Sequence, residues 1–153
     1  MIINQEIQKI KNIIQGFFEK MTIPVEVEIS PRKDKTIPID IKTENPQILI
    51  GERGQTLIEI QRILKIIIKR IIKEDIFIDL DINDYKKKKV EYLKELARAA
   101  ADEVVSSKKE KILTPMPAYE RRIVHLELAE IKNITTESIG EEPERKIVIR
   151  PYP

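Results

Sequence analysis

Residues 48–57 read Ile48-Leu-Ile-Gly51-Glu-Arg-Gly54-Gln-Thr-Leu57, a glycine-x-x-glycine turn between an apolar run and a long amphipathic segment. Glycine has no Cβ, so two of them three positions apart let the chain turn tightly and let a bulky partner come close to the backbone. The residues after Gly54 read as the start of a helix, whose first amide N–H groups lack partners and whose dipole is positive at that end. An anion suits such a place, and a nucleic-acid phosphate is a natural occupant.

The surrounding pattern sets this turn in a small α+β unit. Apolar side chains at Ile7, Ile10, Ile14 and Phe17 or Phe18 predict a helix over residues 4–20. Ile23 to Ile29 and Ile37 to Ile41 alternate apolar and polar, as half-buried strands do, with Pro24 and Pro38 fitting strand edges or first residues. Asn45-Pro46 opens one helical turn, Gln55 to Lys73 is a long helix, and Ile76 to Ile82 a strand. Asn83-Asp84 reads as the N-cap of a second long helix, with Val90, Leu93, Ala97, Ala100 and Val104 along one face. Ser106 to Lys111 breaks that pattern. A helix then runs from about Ala118 to Ile131, and Ile134 to Ile139 and Lys146 to Arg150 are strands joined through Gly140 and Pro143. The expected class is α+β with two small domains, residues 1–82 and 83–153.

Composition narrows the chemistry. With 153 residues, 41% apolar and 35% charged, the chain is long enough for two small cores and too apolar for disorder. It has no cysteine and one histidine, which excludes disulfides, thiolate nucleophiles and cysteine-based or multi-histidine metal centres, so no metal or other cofactor is expected. The amino terminus lacks an export pattern. The richest apolar stretch, Ile63 to Ile72, is interrupted by Lys65, Lys69 and Arg70, so no membrane insertion and a cytoplasmic location are expected. The net charge of +2 comes entirely from the part after Ile82, so any polyanion site must be a local patch.

The order helix, strand, strand, helix, turn, helix, strand, with the glycine turn between two helices, is what a KH domain presents. KH modules clamp a few single-stranded nucleotides against that loop. On this reading Gly51 and Gly54 admit the sugar–phosphate backbone, Arg53 pairs with a phosphate, and the amides of Gln55 and Thr56 complete the cradle. Glu52 is an unfavourable neighbour for a phosphate. Arg62, Lys65, Lys69 and Lys73, spaced three, four and four, share one side of the following helix, either as a phosphate rail or as a solvated face.

In the second part, Glu120-Arg121-Arg122-Ile-Val-His125 puts Arg121 and His125 one helical turn apart, where a guanidinium and an imidazole can hold one phosphate, or a phosphate and a stacked base. Arg122 extends that patch. Ser106, Ser107 and Ser138 sit in no nucleophile-elbow context, so catalysis is not expected. Lys86 to Lys89, and Lys108, Lys109 and Lys111, add basic clusters.

Several blocks carry a resemblance: Ile50 to Leu57, Tyr85 with the lysines after it, Pro115-Met-Pro-Ala-Tyr-Glu-Arg-Arg-Ile-Val-His125, Thr136 to Pro143, and Arg145 to Ile149. The chain resembles the bacterial Jag proteins, which join a KH domain to an R-three-H domain named for its arginine-x-x-x-histidine signature. The resemblance implies two helices on a small sheet for the second domain and non-enzymatic binding of single-stranded RNA. It also implies roles in post-transcriptional regulation or control of cell elongation, and pairing with a small KH-only protein. Many family members carry a further amino-terminal domain, which this chain is expected to lack, and their loops more often have a basic residue at the position of Glu52. Two rivals stand beside RNA binding: an adaptor that pairs through apolar side chains around the Ile58 to Ile72 helix, and a single-stranded DNA binder.

Overall fold

The computed structural model describes residues 2–153, which form two compact units, one running up to Lys86 and the other from Lys87 to Pro153. The α+β class expected from the periodicities is the class observed.

In the first unit, α1 (Ile2–Lys20) leads to β1 (Glu26–Ile29), β2 (Thr36–Lys42), α2 (Pro46–Ile50), a single 3-10 turn at Glu52–Gly54, α3 (Gln55–Ile72) and β3 (Phe77–Ile82). The sheet order is β1-β2-β3, with β1 antiparallel and β3 parallel to the middle strand. Ile37, Ile39 and Ile41 alternate inward from β2 and join Ile78, Leu80 and Ile82 of β3 in one core. Ile10, Ile14 and Phe18 of α1 and Ile60, Leu64 and Ile68 of α3 repeat every fourth residue, so each helix buries one apolar stripe in that core.

Two local expectations shift. The first strand begins at Glu26 and leaves Ile23 to Val25 outside it. Pro38 lies inside β2, the middle strand, where a missing N–H normally breaks a ladder. The ladder survives because the β1 pairing ends at Ile29↔Ile39, and the Pro38 carbonyl still accepts from Ser30 N at 3.1 Å. The N–H that proline lacks would point to the same side, past the end of β1.

The long helix α4 (Tyr85–Ser107) starts where expected, but the preceding strand holds one of its first amides. The Asp81 carboxylate accepts the Lys86 amide at 2.9 Å and the Ile82 amide at 2.8 Å. The Asn83 side chain, expected at the cap, is turned back on Thr43, accepting from its N and donating to its O. Asn83 and Asp84 both have positive φ, as a sharp strand-to-helix reversal requires.

The second unit takes the rest of α4, then β4 (Lys111–Ile112), α5 (Ala118–Leu128), β5 (Ile134–Ile139) and β6 (Lys146–Pro151). Its sheet is antiparallel in the order β4-β6-β5, and β4 is a short strand that the polar composition of Ser106 to Lys111 does not reveal. Leu93, Ala97, Ala100, Ala101 and Val104 of α4 share a core with Val124 and Leu128 of α5 and with Ile147 and Ile149 of β6. The alanines among them keep the helix surface low, which permits close packing. α5 stops at Leu128, short of Ile131, because the Ile131 amide closes a tight turn on the Leu128 carbonyl and Asn133 takes a left-handed conformation. Among the described residues no helix is long and apolar enough to cross a membrane.

Candidate nucleic-acid interface

The glycine turn is a rigid corner whose bare faces point inward. Gly51, Arg53 and Gly54 have φ of 72°, 54° and 77°, values that only glycine adopts freely. A Cβ on Gly51 would sit 2.1 Å from Thr56 Oγ1, and one on Gly54 would sit 3.0 Å from the Tyr85 ring. The closeness that glycine allows at these positions is therefore used by the protein's own Thr56 and Tyr85. The Gln55 amide closes the 3-10 turn on the Glu52 carbonyl, so it is not an open donor for an anion. Glu52 and Arg53 are exposed at the tip, and among the described residues Arg53 has no acidic partner. Holding an arginine at positive φ costs about 1 kcal/mol.

The basic side of α3 is largely committed. Gln61, Lys65 and Lys69 form a strip with four-residue spacing, and opposite them lie Asp75, Phe77 and Asp79 with two-residue spacing. A helix advances about 6 Å in four residues and a strand about 6.6 Å in two, so the two rows stay in step. Lys69 pairs with Asp75 at 2.9 Å, and the Lys65 ammonium lies 4.7 Å from the Phe77 ring centroid. Gln61 Oε1 accepts the Leu80 amide at 3.0 Å and the Lys86 ammonium at 3.0 Å, and Lys86 also pairs with Asp79 at 3.0 Å. Of these contacts, the one to Gln61 takes up an amide of the open edge of β3, an edge that otherwise leaves unpaired amides in solvent. The hydrogen bond from Lys69, with its charge, holds the Asp75 carboxyl below the usual carboxylate range. Arg62 pairs with Glu59 at 3.0 Å, and Glu59 also accepts from the Gln55 side chain at 2.9 Å. Arg62, Lys65 and Lys69, read from the sequence as either a phosphate rail or a solvated face, each have a protein neighbour at the surface: Glu59, the Phe77 ring and Asp75. Exposed Lys73 ends the helix in a left-handed cap.

The arginine–histidine pair is also turned inward, on separate partners. Arg121 is 8% exposed. Its guanidinium donates to the Met116 carbonyl at 2.7 Å and pairs with Glu142 at 2.7 Å, tying the start of α5 to the β5–β6 connection. His125 lies between two hydroxyls of β5, Thr136 Oγ1 on Nδ1 and Ser138 Oγ on Nε2, each at 2.8 Å. A neutral imidazole fits this arrangement, with one ring nitrogen donating and the other accepting. Burial, and then the nearby Arg121 charge, push its pKa below the ordinary 6.5. Ser138 does meet the histidine, but a second hydroxyl stands where a catalytic triad would have a carboxylate. Arg121 and His125, read from the sequence as holding one phosphate or a phosphate and a stacked base, are both hydrogen-bonded to protein groups here. Arg122, between them in sequence, is exposed.

Sequence reasoning missed the groups that hold these residues: Tyr85 under Gly54, Gln61 on the β3 edge, and Thr136, Ser138 and Glu142 around the signature pair. The last three lie within the Thr136 to Pro143 block that carries the family resemblance, which is the available signal. Asp40, Asp81 and Asp84 bring carboxylate oxygens within 4.8 Å of one another, the one grouping of possible metal ligands among the described residues. Asp81 in that group already holds the Lys86 amide at the start of α4.

An α+β unit with a locked glycine turn, followed by one with an arginine and a histidine clamped between helix and strand, marks a two-module protein whose second module is an R-three-H domain. The R-three-H domain family matches residues 91–151. The chain is 34% identical over 145 residues to RNA-binding protein KhpB of Bacillus subtilis, covering 94% of this chain and 69% of that protein. It is 33% identical over 137 residues to RNA-binding protein KhpB of Clostridium symbiosum, covering 89% of this chain and 62% of that protein. A third KhpB, from Lactiplantibacillus plantarum, is 32% identical over 111 residues, which are 72% of this chain and 34% of the relative. The chain belongs to this Jag-type KhpB family. It spans less than two thirds of the length of the Clostridium and Lactiplantibacillus relatives.

Proposed function

We propose that the chain binds single-stranded RNA without catalysing a reaction, through a KH domain at residues 1–82 and an R-three-H domain at residues 83–153. The observation that carries the first part is the glycine turn. Three successive constraints, Gly51 on Thr56, Arg53 at positive φ and Gly54 on Tyr85, hold the Arg53 side chain out at the N-terminal end of an 18-residue helix. That combination offers a preorganised cation and a positive helix end to one backbone phosphate. Glu52 beside it weakens the field, so the turn orients RNA more than it supplies affinity. The KhpB names of the relatives support the same ligand class. A cytoplasmic place of action accords with this reading.

The test is fluorescence anisotropy with a labelled single-stranded RNA across a salt series. Replacing Glu52 and Arg53 together by aspartate leaves the core untouched, because both are exposed. Binding by the first module should be lost while the unfolding midpoint stays put. Equal affinity for RNA in the double variant would sink the role given to the turn. A matched DNA oligomer in competition separates RNA from DNA.

A second reading rests on a separate observation. Ile63, Ile66 and Ile71 of α3 are 45%, 69% and 47% exposed, more apolar surface than a single buried stripe leaves. On this reading the first module also pairs with a small KH-only protein, and charged substitutions at Ile66 should abolish that pairing while sparing the RNA contact at Arg53.

A further inference from the structure

The outward side of α5 carries a different triad from the signature. Arg121, Val124 and Leu128 are buried, whereas the exposed residues Tyr119, Arg122 and Leu126 are spaced three and four apart and form a continuous strip. Tyr119 is 49% and Leu126 64% exposed. Every other arginine of the second unit has an acceptor: Arg98 in Glu127, Arg121 in Met116 and Glu142, Arg145 in Gly140 and Ser138, Arg150 in Glu110 and Glu137. Arg122 alone among them, in the described residues, has neither a carboxylate nor a carbonyl partner.

We infer that Tyr119, Arg122 and Leu126 are the surface on which the second module meets single-stranded RNA, and that Arg121 and His125 only position the helix presenting them. The inference rests on the RNA-binding reading above and deepens it. Its physical basis is the alternation of groups along the strip. A guanidinium sits between an aromatic ring and an alkyl side chain, each about 5–6 Å away along the helix. A single-stranded nucleic acid alternates in the same way, with an anionic phosphate beside a flat apolar base. The Tyr119 ring takes a stacked base, Arg122 takes the adjoining phosphate, and Leu126 covers the next base or sugar. The acid nearest in sequence to Leu126, Glu127, is held by Arg98 at 2.6 Å, so its charge is balanced. An acidic peptide could use Arg122, but its carboxylates would make no use of the face of the Tyr119 ring.

The experiment uses the full chain and a fluorescein-labelled, mixed-sequence single-stranded RNA, with anisotropy measured over a range of salt. Tyr119→Ala should weaken binding about tenfold, whereas Tyr119→Phe, which keeps the ring, should bind as the unaltered chain does. Arg122→Ala should reduce the slope of log affinity against log salt by about 0.7, and Arg122→Lys should restore it. Arg121→Ala, measured where it is still folded, should lower the melting temperature but leave the salt slope unchanged. If Tyr119→Ala and Arg122→Ala both match the unaltered chain, the inference is overturned. A loss of binding by the aspartate pair at Glu52 and Arg53 in the same assay would then show that the RNA-binding reading survives it. If the unaltered chain binds no single-stranded RNA, the inference and that reading fall together.

Discussion

The glycine turn of the first unit and the arginine–histidine helix of the second are the two conspicuous motifs in the chain, and they are built on one plan with different materials. In the turn, the conspicuous residues are glycines, and their missing side chains make room for Thr56 and Tyr85. In the helix, the conspicuous residues are polar, and their side chains reach inward to Met116, Glu142, Thr136 and Ser138. In both places the motif residues fix the backbone while less conspicuous neighbours, Arg53 and Arg122, face solvent. On the proposed RNA-binding reading, each motif marks a surface without itself being that surface. The difference lies in how each is held: the turn by steric fit and positive φ, the helix by side-chain hydrogen bonds, charge-assisted at Arg121 and neutral at His125.

That difference predicts unequal responses to substitution. The largest effect should follow Gly51→Ala. Its new Cβ would lie 2.1 Å from Thr56 Oγ1 at a φ of 72°, so strain and overlap add, and stability should fall by about 3 kcal/mol. Gly54→Ala carries the same kind of strain at a φ of 77° but meets the Tyr85 ring at 3.0 Å, a milder overlap, and should cost less. Urea unfolding checks both, and an equal, small loss at the two glycines would break the steric account. Next in size is Arg121→Ala, which leaves the Met116 carbonyl without its donor and frees Glu142. A loss of about 2 kcal/mol is expected, read as a lower melting temperature. No loss would mean that the charge-assisted bonds are incidental.

The smallest effect should be a pH dependence confined to the second unit. His125 has its pKa lowered in the folded state, so below about 6.5 the unfolded chain binds a proton that the folded chain resists. The stabilisation from keeping the ring neutral is complete above that value and is lost as pH falls below it. Following unfolding with pH should show the fall, and His125→Gln should flatten it. A variant with the same pH profile would show that the imidazole is not the group responsible.

Much of the scaffold is legible in the sequence because its causes are local. Four-residue spacing of Ile10, Ile14 and Phe18, alternation in Ile37 to Ile41, and the two glycines each state a backbone preference within a few residues. The discrepancies lie where a distant partner decides the outcome. Asp81, from the end of β3, takes an amide at the start of α4, while Asn83 turns away to Thr43. β4 exists only because β6 offers it an edge, with Lys111 opposite Ile149. The basic strip on α3 looks free in sequence because Asp75, Phe77 and Asp79 become its neighbours only when β3 folds alongside.

Sequence alone determined the α+β character, the presence of two units, the place of the glycine turn and the family. These follow from periodicity, from the φ that glycine permits, and from blocks of residues that lie contiguously along the chain. Only the tertiary structure decided which side of each motif is available. Burial and pairing depend on residues far apart in sequence, and a side chain already satisfied by a protein partner has little left to offer a ligand. Arg121 and Arg122 are adjacent and chemically identical, yet one is enclosed with Glu142 and the other stands in solvent. A helix turns about 100° per residue, and that rotation against a packed sheet separates the two roles.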